Sequence, residues 1–333
     1  MKKYLEILFN SKSLTRDQAF QSMNEVLAGS GNVEQIAAFL GALRAKGETR
    51  DEIVGFAQAI REKSVRLPRV PKGAIDTCGT GGDQTSSFNI STAASFVLAA
   101  AGVTVAKHGN RSVSSRCGSA DVIEALGLKA DGTPEEVATS LERHQFGFLF
   151  APSFHPVLKN VGPIRKSIGV KTVFNLLGPL VNPAQVQYQV MGVFDPKLCR
   201  LIAEVLRELG CVEAMVFSSV GGMDELSVFE NNRICVLKDS EIHEMELSPS
   251  EIGIQSGTVD ELKGGDALQN AALIEEILRG EMGGVRRDVV ALNAGAGLVV
   301  AGLARGLKEG YLMATEILHT GRPFEVLQKM KIS

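Results

Sequence analysis

The pattern of apolar residues changes abruptly near Pro68 and Pro71, and this change limits the folds open to a chain of 333 residues. Before it, apolar side chains recur only three and four residues apart, which is typical of helices. From Ala74 onward, short apolar runs typical of strands alternate with helical segments. This order predicts an α/β class of fold. A small all-helical N-terminal domain, residues 1–70, precedes a larger α/β domain, residues 71–333, with a central, mostly parallel sheet flanked by helices.

Hydroxyl and carboxamide or carboxyl side chains three residues apart mark helix starts in this chain. Thr15 with Gln18, and Thr49 with Glu52, form the capping-box pattern, and Thr133 begins another such helix with proline in its first turn. Apolar helical faces are predicted for Val33, Ile36, Leu40 and Leu43, and for Ile53, Phe56 and Ile60.

The coarse element prediction for the second domain follows from the same patterns. Strands are expected at Val103–Ala106, Gly147–Phe150, Tyr188–Val193 and Val212–Phe217, with a polar strand-like stretch at Ile234–Leu247. Helices are expected near 90–101, 120–126, 133–143, 155–167, 196–209, 266–279, 285–304 and 321–331. Prolines at 179 and 183 predict that 171–184, near the helices expected to join the helical domain, is a loop.

Composition excludes several classes of function. The net charge of −3 and the lack of a basic block argue against a nucleic-acid partner. The apolar stretches 93–106 and 289–304 are shorter than a membrane span of roughly 18 residues, and no signal peptide is seen, so no membrane partner is expected. Five cysteines without a pairing rhythm predict free thiols in a reducing cytoplasm.

A glycine-rich turn lies within the segment Asp76–Asp83. Gly79, Gly81 and Gly82 fall within four residues, which lets backbone N–H groups approach an anion closely. The turn is not a P-loop, because the chain contains no Gly-Lys dipeptide, and Gln84 stands where a dinucleotide fingerprint needs glycine. A tight turn without a ligand remains the alternative.

Short polar side chains then precede an apolar helix. Asn89, Ser91 and Thr92 stand at its start, where free N–H groups and the helix dipole favour phosphate. An ordinary helix cap is the alternative, since these residue types are common there. Together with the glycine turn, the pattern favours an anion site.

The loop 107–121 follows a predicted strand and contains three cations, four serines, an asparagine and a histidine before Asp121. Loops at the carboxyl ends of strands are where α/β folds bind ligands. Lys107, Arg111 and the serines suit several phosphate oxygens.

Two further features suit a carboxylate and a metal ion. Arg165 offers the planar guanidinium that binds carboxylates in bidentate fashion, although a surface ion pair is the common role of a lone arginine. Asp224 and Glu225 follow two glycines and supply the oxygen ligands that Mg²⁺ prefers, whereas a solvated acidic pair is the alternative.

The strings Gly79-Thr-Gly-Gly-Asp83, Asn89-Ile-Ser-Thr92 and Lys107-His-Gly-Asn-Arg111 through Gly118-Ser-Ala-Asp121, in this order, resemble the anthranilate phosphoribosyltransferases. The resemblance extends over nearly the whole chain and includes Val173–Pro179 and Asn182-Pro183. The nucleoside phosphorylases of the same fold resemble it less, because their loop typically has Lys-His-Ser-Gly-Arg.

The resemblance implies transfer of a 5-phosphoribosyl group from 5-phosphoribosyl 1-diphosphate (PRPP) to the amine of anthranilate, with two Mg²⁺ ions and a homodimer. It assigns PRPP binding to Gly79, Gly82, Asp83, Ser87, Asn89, Ser91, Thr92, Lys107, Asn110, Arg111, Ser112, Ser114, Ser115 and Ser119. It assigns anthranilate binding to Gly79, His108, Asn110 and Arg165, and metal binding to Ser91, Asp224 and Glu225. No acid or base catalyst is expected, because the aromatic amine is uncharged at neutral pH.

Two alternatives stay open. A pyrimidine nucleoside phosphorylase has the same fold, but it needs neither an acidic pair on a diphosphate nor Asn110. A non-catalytic nucleic-acid-binding relative would be expected to have a basic groove and a damaged metal site, which the charge of −3 and the intact acidic pair argue against.

Overall fold

The N-terminal part of the chain is all helical. A computed structural model describes residues 1–30, 32–83, 85–112, 117–255 and 257–332. Its first four helices are α1 (Lys2–Phe9), α2 (Arg16–Leu27), α3 (Val33–Lys46) and α4 (Arg50–Glu62). The hydroxyls of Thr15 and Thr49 accept hydrogen bonds from the N–H groups of Gln18 and Glu52, so both predicted capping boxes are confirmed.

Strands and helices alternate in the rest of the chain. They are β1 (Ile75–Gly79), α5 (Ile90–Ala100), β2 (Val105–Gly109), α6 (Ser119–Ala125), α7 (Pro134–His144), β3 (Phe146–Phe150), α8 (Ala151–Phe154), α9 (Gly162–Ile168), α10 (Phe174–Leu180), β4 (Tyr188–Gly192), α11 (Leu198–Glu208), β5 (Glu213–Ser219), β6 (Asn232–Lys238), β7 (Glu241–Leu247), α12 (Ala267–Leu278), α13 (Val285–Val300), α14 (Leu307–His319) and α15 (Arg322–Ile332). Short 3-10 helices occupy Pro156–Asn160, Pro249–Ile252 and Val259–Leu262.

The strands form one seven-stranded sheet in the order β3-β2-β1-β4-β5-β6-β7. The first five strands are parallel, and β6 and β7 add an antiparallel hairpin at one edge. The chain runs from β1 outward to β3 on one side and then returns to place β4 on the other side of β1. The strand order therefore reverses between β1 and β4, which is where open α/β sheets bind ligands.

The two faces of the sheet pack into different hydrophobic cores, and a third, smaller core includes Ala106 of β2 and Leu149 of β3. Because side chains alternate along a strand, Val190 and Met215 join a core with α5, α6 and α12–α15, whereas the next residues along, Met191 and Val216, face the other way. On that second face they share one core with α1–α4 and α9–α11. Helices α9 and α10 thus pack with the N-terminal helices, although they lie far along the chain.

Three element predictions need correction. Strand β1 was missed, because Asp76 and Thr77 interrupt its apolar pattern, yet both are buried between β2 and β4. The expected loop at 171–184 contains helix α10, which tolerates Pro179 one residue before its end. Helix α14 was also missed, so four helices rather than three end the chain.

The fold class itself is confirmed: a helical N-terminal domain adjoins a larger α/β domain with a mostly parallel sheet. Within the described ranges, no helix combines the length and apolar character needed to cross a membrane. None of the five cysteines, all of which lie in the described ranges, forms a disulfide bond.

Candidate active site

The carboxyl ends of four parallel strands meet at one edge of the sheet. Strands β1, β2 and β4 end in Gly79, Gly109 and Gly192, and β5 ends in Ser219. The glycine turn follows β1, the loop with Asn110 follows β2, and the acidic pair lies beyond β5. Segments that are far apart in the sequence therefore converge at the point where the strand order reverses.

The acidic loop lies directly on the glycine turn. A carboxylate oxygen (Oδ2) of Asp224 accepts a 2.6 Å hydrogen bond from the backbone N–H of Gly81. A Cβ on Gly79 would come within 2.3 Å of that same oxygen, and one on Gly192 within 1.7 Å of the Asp224 carbonyl oxygen. At Gly192 the clash is with backbone, so the close approach of the acidic loop requires glycine there; a Cβ on Gly79 would instead push the Asp224 carboxylate away from the turn.

Glu225 contacts the start of α5. Its Oε1 accepts a 3.1 Å hydrogen bond from the backbone N–H of Ser91 in the first turn of the helix. The side chain of Asn89 does not cap α5; it donates instead to the carbonyl of Cys117 and accepts from Asn270. The alternative of an ordinary asparagine cap is therefore wrong for Asn89.

A buried lysine lies beneath the glycine turn and the start of α5. Lys107 is 2% exposed, and its ammonium donates to the Thr77 carbonyl at 2.6 Å and to the Ser91 hydroxyl at 3.2 Å. Burial lowers the pKa of Lys107, while the charge of Asp76 opposes that shift. Asp76 also ties the strand ends together, since its carboxylate accepts from the backbone N–H of His108 at 3.2 Å.

The three carboxylates near the turn form an electrostatically unfavourable group. Burial, followed by the charge of Asp83, raises the pKa of Asp224 to about 7. Burial, followed by the charge of Asp224, raises the pKa of Glu225 to about 8. Carboxylates that repel one another in a partly desolvated site favour a cation between them.

This donor set fits Mg²⁺ bound together with a substrate. Among the described residues there is no cluster of three or more histidine, cysteine or carboxylate side chains with the geometry to hold a metal by itself. Mg²⁺ characteristically takes one or two carboxylates and completes its shell with water and phosphate oxygens. Asp224, Glu225 and the Ser91 hydroxyl provide such a partial shell.

Two predicted PRPP ligands near the turn hold the local backbone. The Asp83 carboxylate accepts from the N–H and hydroxyl of Thr85, and Ser87 forms an isolated β-bridge with Lys263. The hydroxyl of Thr92 is buried and has no hydrogen-bond partner among the residues that the structure describes.

The loop after β2 is held by carboxylates of α6. Arg111 pairs with Asp121 at 3.1 Å and with Glu124 at 2.6 Å, and its guanidinium stacks on Phe150. The Ser119 hydroxyl contacts the Asn110 carbonyl at 3.4 Å. Arg111 is thus turned toward α6 rather than toward the glycine turn.

The backbone N–H of Ser112 also donates to Asp121. The predicted ligands Ser114 and Ser115 lie outside the described residues.

The two predicted anthranilate ligands with ring or guanidinium groups lie at opposite ends of α10. The Nδ1 atom of His108 is 3.2 Å from the Gly178 carbonyl, and Arg165 stacks on Phe174 with its guanidinium carbon 5.3 Å from the ring centre. Burial lowers the pKa of Arg165, and none of the described carboxylates forms an ion pair with it. A guanidinium without a counter-ion is available for a substrate carboxylate.

Three residues that support the site were not among those predicted from the sequence. Asp76 and Thr77 anchor Lys107 from inside β1, and Lys171 donates to the Gly82 carbonyl at 2.7 Å. Polar residues inside a strand are a detectable signal, because burial of such groups requires a specific partner.

Comparison with protein families assigns the chain to a class. A model described as "Glycosyl transferase family, helical bundle domain" matches residues 2–64, and one described as "Glycosyl transferase family, a/b domain" matches residues 71–324. Fold and site thus define a glycosyl transferase with a helical bundle in front of an α/β domain.

Individual relatives narrow the class. The anthranilate phosphoribosyltransferase of Petrotoga mobilis is 44% identical over 98% of this chain and 95% of the relative. The crystal structure of the Thermus thermophilus anthranilate phosphoribosyltransferase matches with a TM-score of 0.92 and 40% identity, covering 99% and 98% of the two chains. The Saccharomyces cerevisiae enzyme in complex with PRPP and Mg matches with a TM-score of 0.90 and 25% identity, covering 98% and 96%. The chain belongs to the anthranilate phosphoribosyltransferase family.

Proposed function

We propose that this protein transfers the 5-phosphoribosyl group of PRPP to the amine of anthranilate, releasing pyrophosphate, as a step of tryptophan synthesis. The observation that carries the proposal is the contact of the acidic pair with both anion-binding elements. Asp224 binds the glycine turn and Glu225 binds the start of α5. These contacts support a diphosphate site between the two elements, beside the carboxylates proposed to hold its metal ions.

The PRPP half of the site is proposed to use fixed donors. The backbone of Gly79–Gly82, the first turn of α5 and the ammonium of Lys107 converge on one region. The loop 107–112 and the hydroxyl of Ser119 complete the set of phosphate and ribose contacts. Such donors stabilise the negative charge that develops on the departing pyrophosphate, because they are already oriented before reaction.

Two Mg²⁺ ions are proposed to bind with the diphosphate, one at Asp224 and Glu225 and one at Glu225 and Ser91. Ions bound there would neutralise the negative charge of the departing pyrophosphate. The yeast relative is described in complex with PRPP and Mg, which supports metal use. The repulsion among Asp83, Asp224 and Glu225 in this chain supports the same positions.

Anthranilate is proposed to bind with its carboxylate at Arg165 and its ring near His108, Asn110 and Gly79. His108 donates from Nδ1 to the Gly178 carbonyl in the neutral tautomer that this contact requires. Burial, followed by the nearby His155, lowers the pKa of His108 to about 3, so the ring stays uncharged at neutral pH. It is a weak base and serves to orient the acceptor.

The chemical step is a substitution at C1 of the ribose. The amine nitrogen forms a bond to C1, the bond from C1 to the pyrophosphate oxygen breaks with its electron pair remaining on pyrophosphate, and the amine then loses one proton. No strong base is required, because the amine is uncharged before attack. The protein contributes alignment of the amine behind C1 and stabilisation of charge.

The test follows the loss of anthranilate fluorescence with PRPP and Mg²⁺. In Asp224→Ala/Glu225→Ala, we expect turnover to fall about 100-fold or more. In Arg165→Ala, we expect the KM for anthranilate to rise roughly 10- to 100-fold, because a charge-assisted carboxylate contact is lost.

Exposed neighbours provide matched controls. Glu241→Ala/Glu246→Ala removes two surface carboxylates from β7, and Lys166→Ala removes the cation next to Arg165. Both should keep wild-type kinetics. A wild-type protein that cleaves uridine or thymidine with phosphate, and ignores anthranilate, would instead be a nucleoside phosphorylase.

We further propose that the helical domain, residues 1–70 with helices from 155–185, forms a homodimer surface, and that the protein is cytoplasmic. Phe9 of α1 and Val33 of α3 are apolar yet 68% and 56% exposed, which favours burial against a second chain. The lack of disulfide bonds among the five described cysteines supports a reducing compartment. Sedimentation equilibrium of wild type and Phe9→Ser tests the dimer.

A further inference from the structure

Helix α10 contacts both of the side chains proposed to bind anthranilate from opposite ends of the helix. Phe174 in its first turn packs on Arg165, and the Gly178 carbonyl in its last turn faces Nδ1 of His108. The position of α10 therefore sets the distance between these two side chains.

The end of α10 is fixed in an unusual way. The last carbonyls of a helix lack partners within the helix. In α10, three consecutive ones each face a side chain from a different element: Gly178 faces His108 of β2, Pro179 accepts from Gln189 of β4 at 2.7 Å, and Leu180 accepts from Arg61 of α4 at 2.8 Å. We call Arg61 and Gln189, bound to these carbonyls, the α10 clamp.

Arg61 connects the carboxyl end of α10 to the helical domain. Its Nη1 also donates to the carbonyl of Leu209, at the end of α11, at 3.1 Å. A cation between the carboxyl ends of two helices is favourable, because the helix dipole makes both ends negative. Burial lowers the pKa of Arg61 to about 10, so the charge persists at neutral pH.

Gln189 connects the carboxyl end of α10 to the strand that leads into the glycine turn. The residue is 2% exposed, and its Nε2 lies 3.2 Å from Sγ of Cys78, the residue before Gly79. Its amide therefore spans from the end of α10 to the strand that carries the turn.

We propose that Arg61 and Gln189 are positioning residues for the aromatic acceptor. They hold α10 so that His108 and Arg165 keep a fixed position relative to the glycine turn. The inference rests on the proposed function and adds to it a role for the helical domain. The proposed PRPP contacts lie on the glycine turn, the start of α5, the loop after β2 and Ser119 of α6. The carbonyls that the clamp binds belong to α10, so the clamp acts on the part of the site proposed to bind anthranilate.

The test separates the two substrates kinetically. Gln189→Met keeps the volume of the side chain and removes its amide donor, and Arg61→Met removes the guanidinium. In both we expect the KM for anthranilate to rise roughly 10-fold, with a much smaller change in the KM for PRPP, because small displacements of binding groups have such effects. Arg61→Lys, which keeps the charge, should recover part of the loss.

Lys63→Met is the matched control for Arg61, because Lys63 is an exposed residue at the end of the same helix. It should keep both KM values. Thermal unfolding with and without PRPP identifies variants that still fold, and Gln189→Met carries the test if Arg61→Met does not fold.

Equal rises in both KM values, a fall in kcat alone, or unchanged kinetics would each refute the clamp while leaving the proposed function intact. Lack of turnover in the wild type would instead remove the proposed function and, with it, this inference.

Discussion

At the scale of single residues, the site depends on positions where a side chain has no room. The glycine turn was found from the sequence because three glycines fall close together. Gly192 at the end of β4 was not, because a lone glycine after an apolar strand has no distinctive pattern. Its function appears only when Asp224 is placed on top of it.

We predict that Gly192→Ala damages both stability and activity. The added Cβ would lie 1.7 Å from the carbonyl oxygen of Asp224, so the acidic loop must move away from the turn. Such overpacking costs about 1–3 kcal/mol of the free energy of unfolding. Urea unfolding measures this cost, and the Mg²⁺ concentration that gives half-maximal turnover should rise because Asp224 is displaced.

Gly41→Ala provides the comparison for that variant. Gly41 lies within α3, and a Cβ there meets no atom within 4 Å. Because alanine favours helix over glycine, this variant should gain roughly 0.5–1 kcal/mol and keep its activity. If Gly192→Ala also retained wild-type stability and Mg²⁺ dependence, the close approach of Asp224 would have no functional role.

At the scale of elements, the PRPP half of the site depends on a helix that is remote in sequence. Asn270 in α12 is 2% exposed; its Oδ1 accepts from the Gly265 N–H at 2.7 Å, and its Nδ2 donates to Oδ1 of Asn89 at 3.1 Å. It thereby holds the residue at the start of α5.

We predict that Asn270→Leu raises the KM for PRPP several-fold and lowers the free energy of unfolding by about 1–3 kcal/mol, because the Gly265 N–H and the Asn89 side chain lose buried partners. The KM for anthranilate should change little. Initial-rate kinetics and urea unfolding measure the two effects. Glu276→Gln, on the exposed side of α12, is the control. If it raised the KM for PRPP and lowered the free energy of unfolding as much as Asn270→Leu, Asn270 would act only through the stability of the helix.

Elements with a regular apolar pattern were predicted well, and those with buried polar or interrupted patterns were not. Helices α1–α4 and strands β3–β5 follow simple periodicity, and all three predicted capping boxes form. Strand β2 was predicted only in part, because it continues through Lys107 and His108 to Gly109, which were expected in the loop. Strand β1 carries Asp76 and Thr77, whose burial is offset by Lys107 and by backbone partners that a local sequence pattern does not reveal. Helix α10 contains Pro179, and its last carbonyls bond to side chains from other elements, which a local sequence pattern also does not reveal.

At the scale of the whole molecule, the sheet order brings the site together. Individual motifs indicated phosphate, carboxylate and metal chemistry, but the contact between Asp224 and Gly81 depends on β4 and β5 returning beside β1. Local patterns do not fix that order, so the family resemblance had to link the acidic pair to the glycine turn.

The pH dependence of stability is also a property of the whole molecule, because groups with opposite shifts contribute to it. Burial lowers the pKa of His155 to about 4, whereas burial raises that of Asp76 to about 6. Below about pH 6.5, the ordinary pKa of histidine, His155 is protonated in the unfolded chain but stays neutral in the folded one. His155 therefore destabilises the fold as pH falls. Asp76 binds its proton more readily when folded and opposes this trend.

Comparison with a His155→Gln variant isolates the histidine, because the carboxylates are common to both proteins. Relative to the variant, the wild type should lose about 1.4 kcal/mol of unfolding free energy per pH unit as pH falls from about 6 toward 4. Urea unfolding at pH 7.5, 6 and 5 measures the difference. A flat difference for His155→Gln would mean that folded and unfolded His155 take up their proton over the same pH range. The buried ring contact with His108, 5.1 Å between centres, would then hold a charge below about pH 6.5.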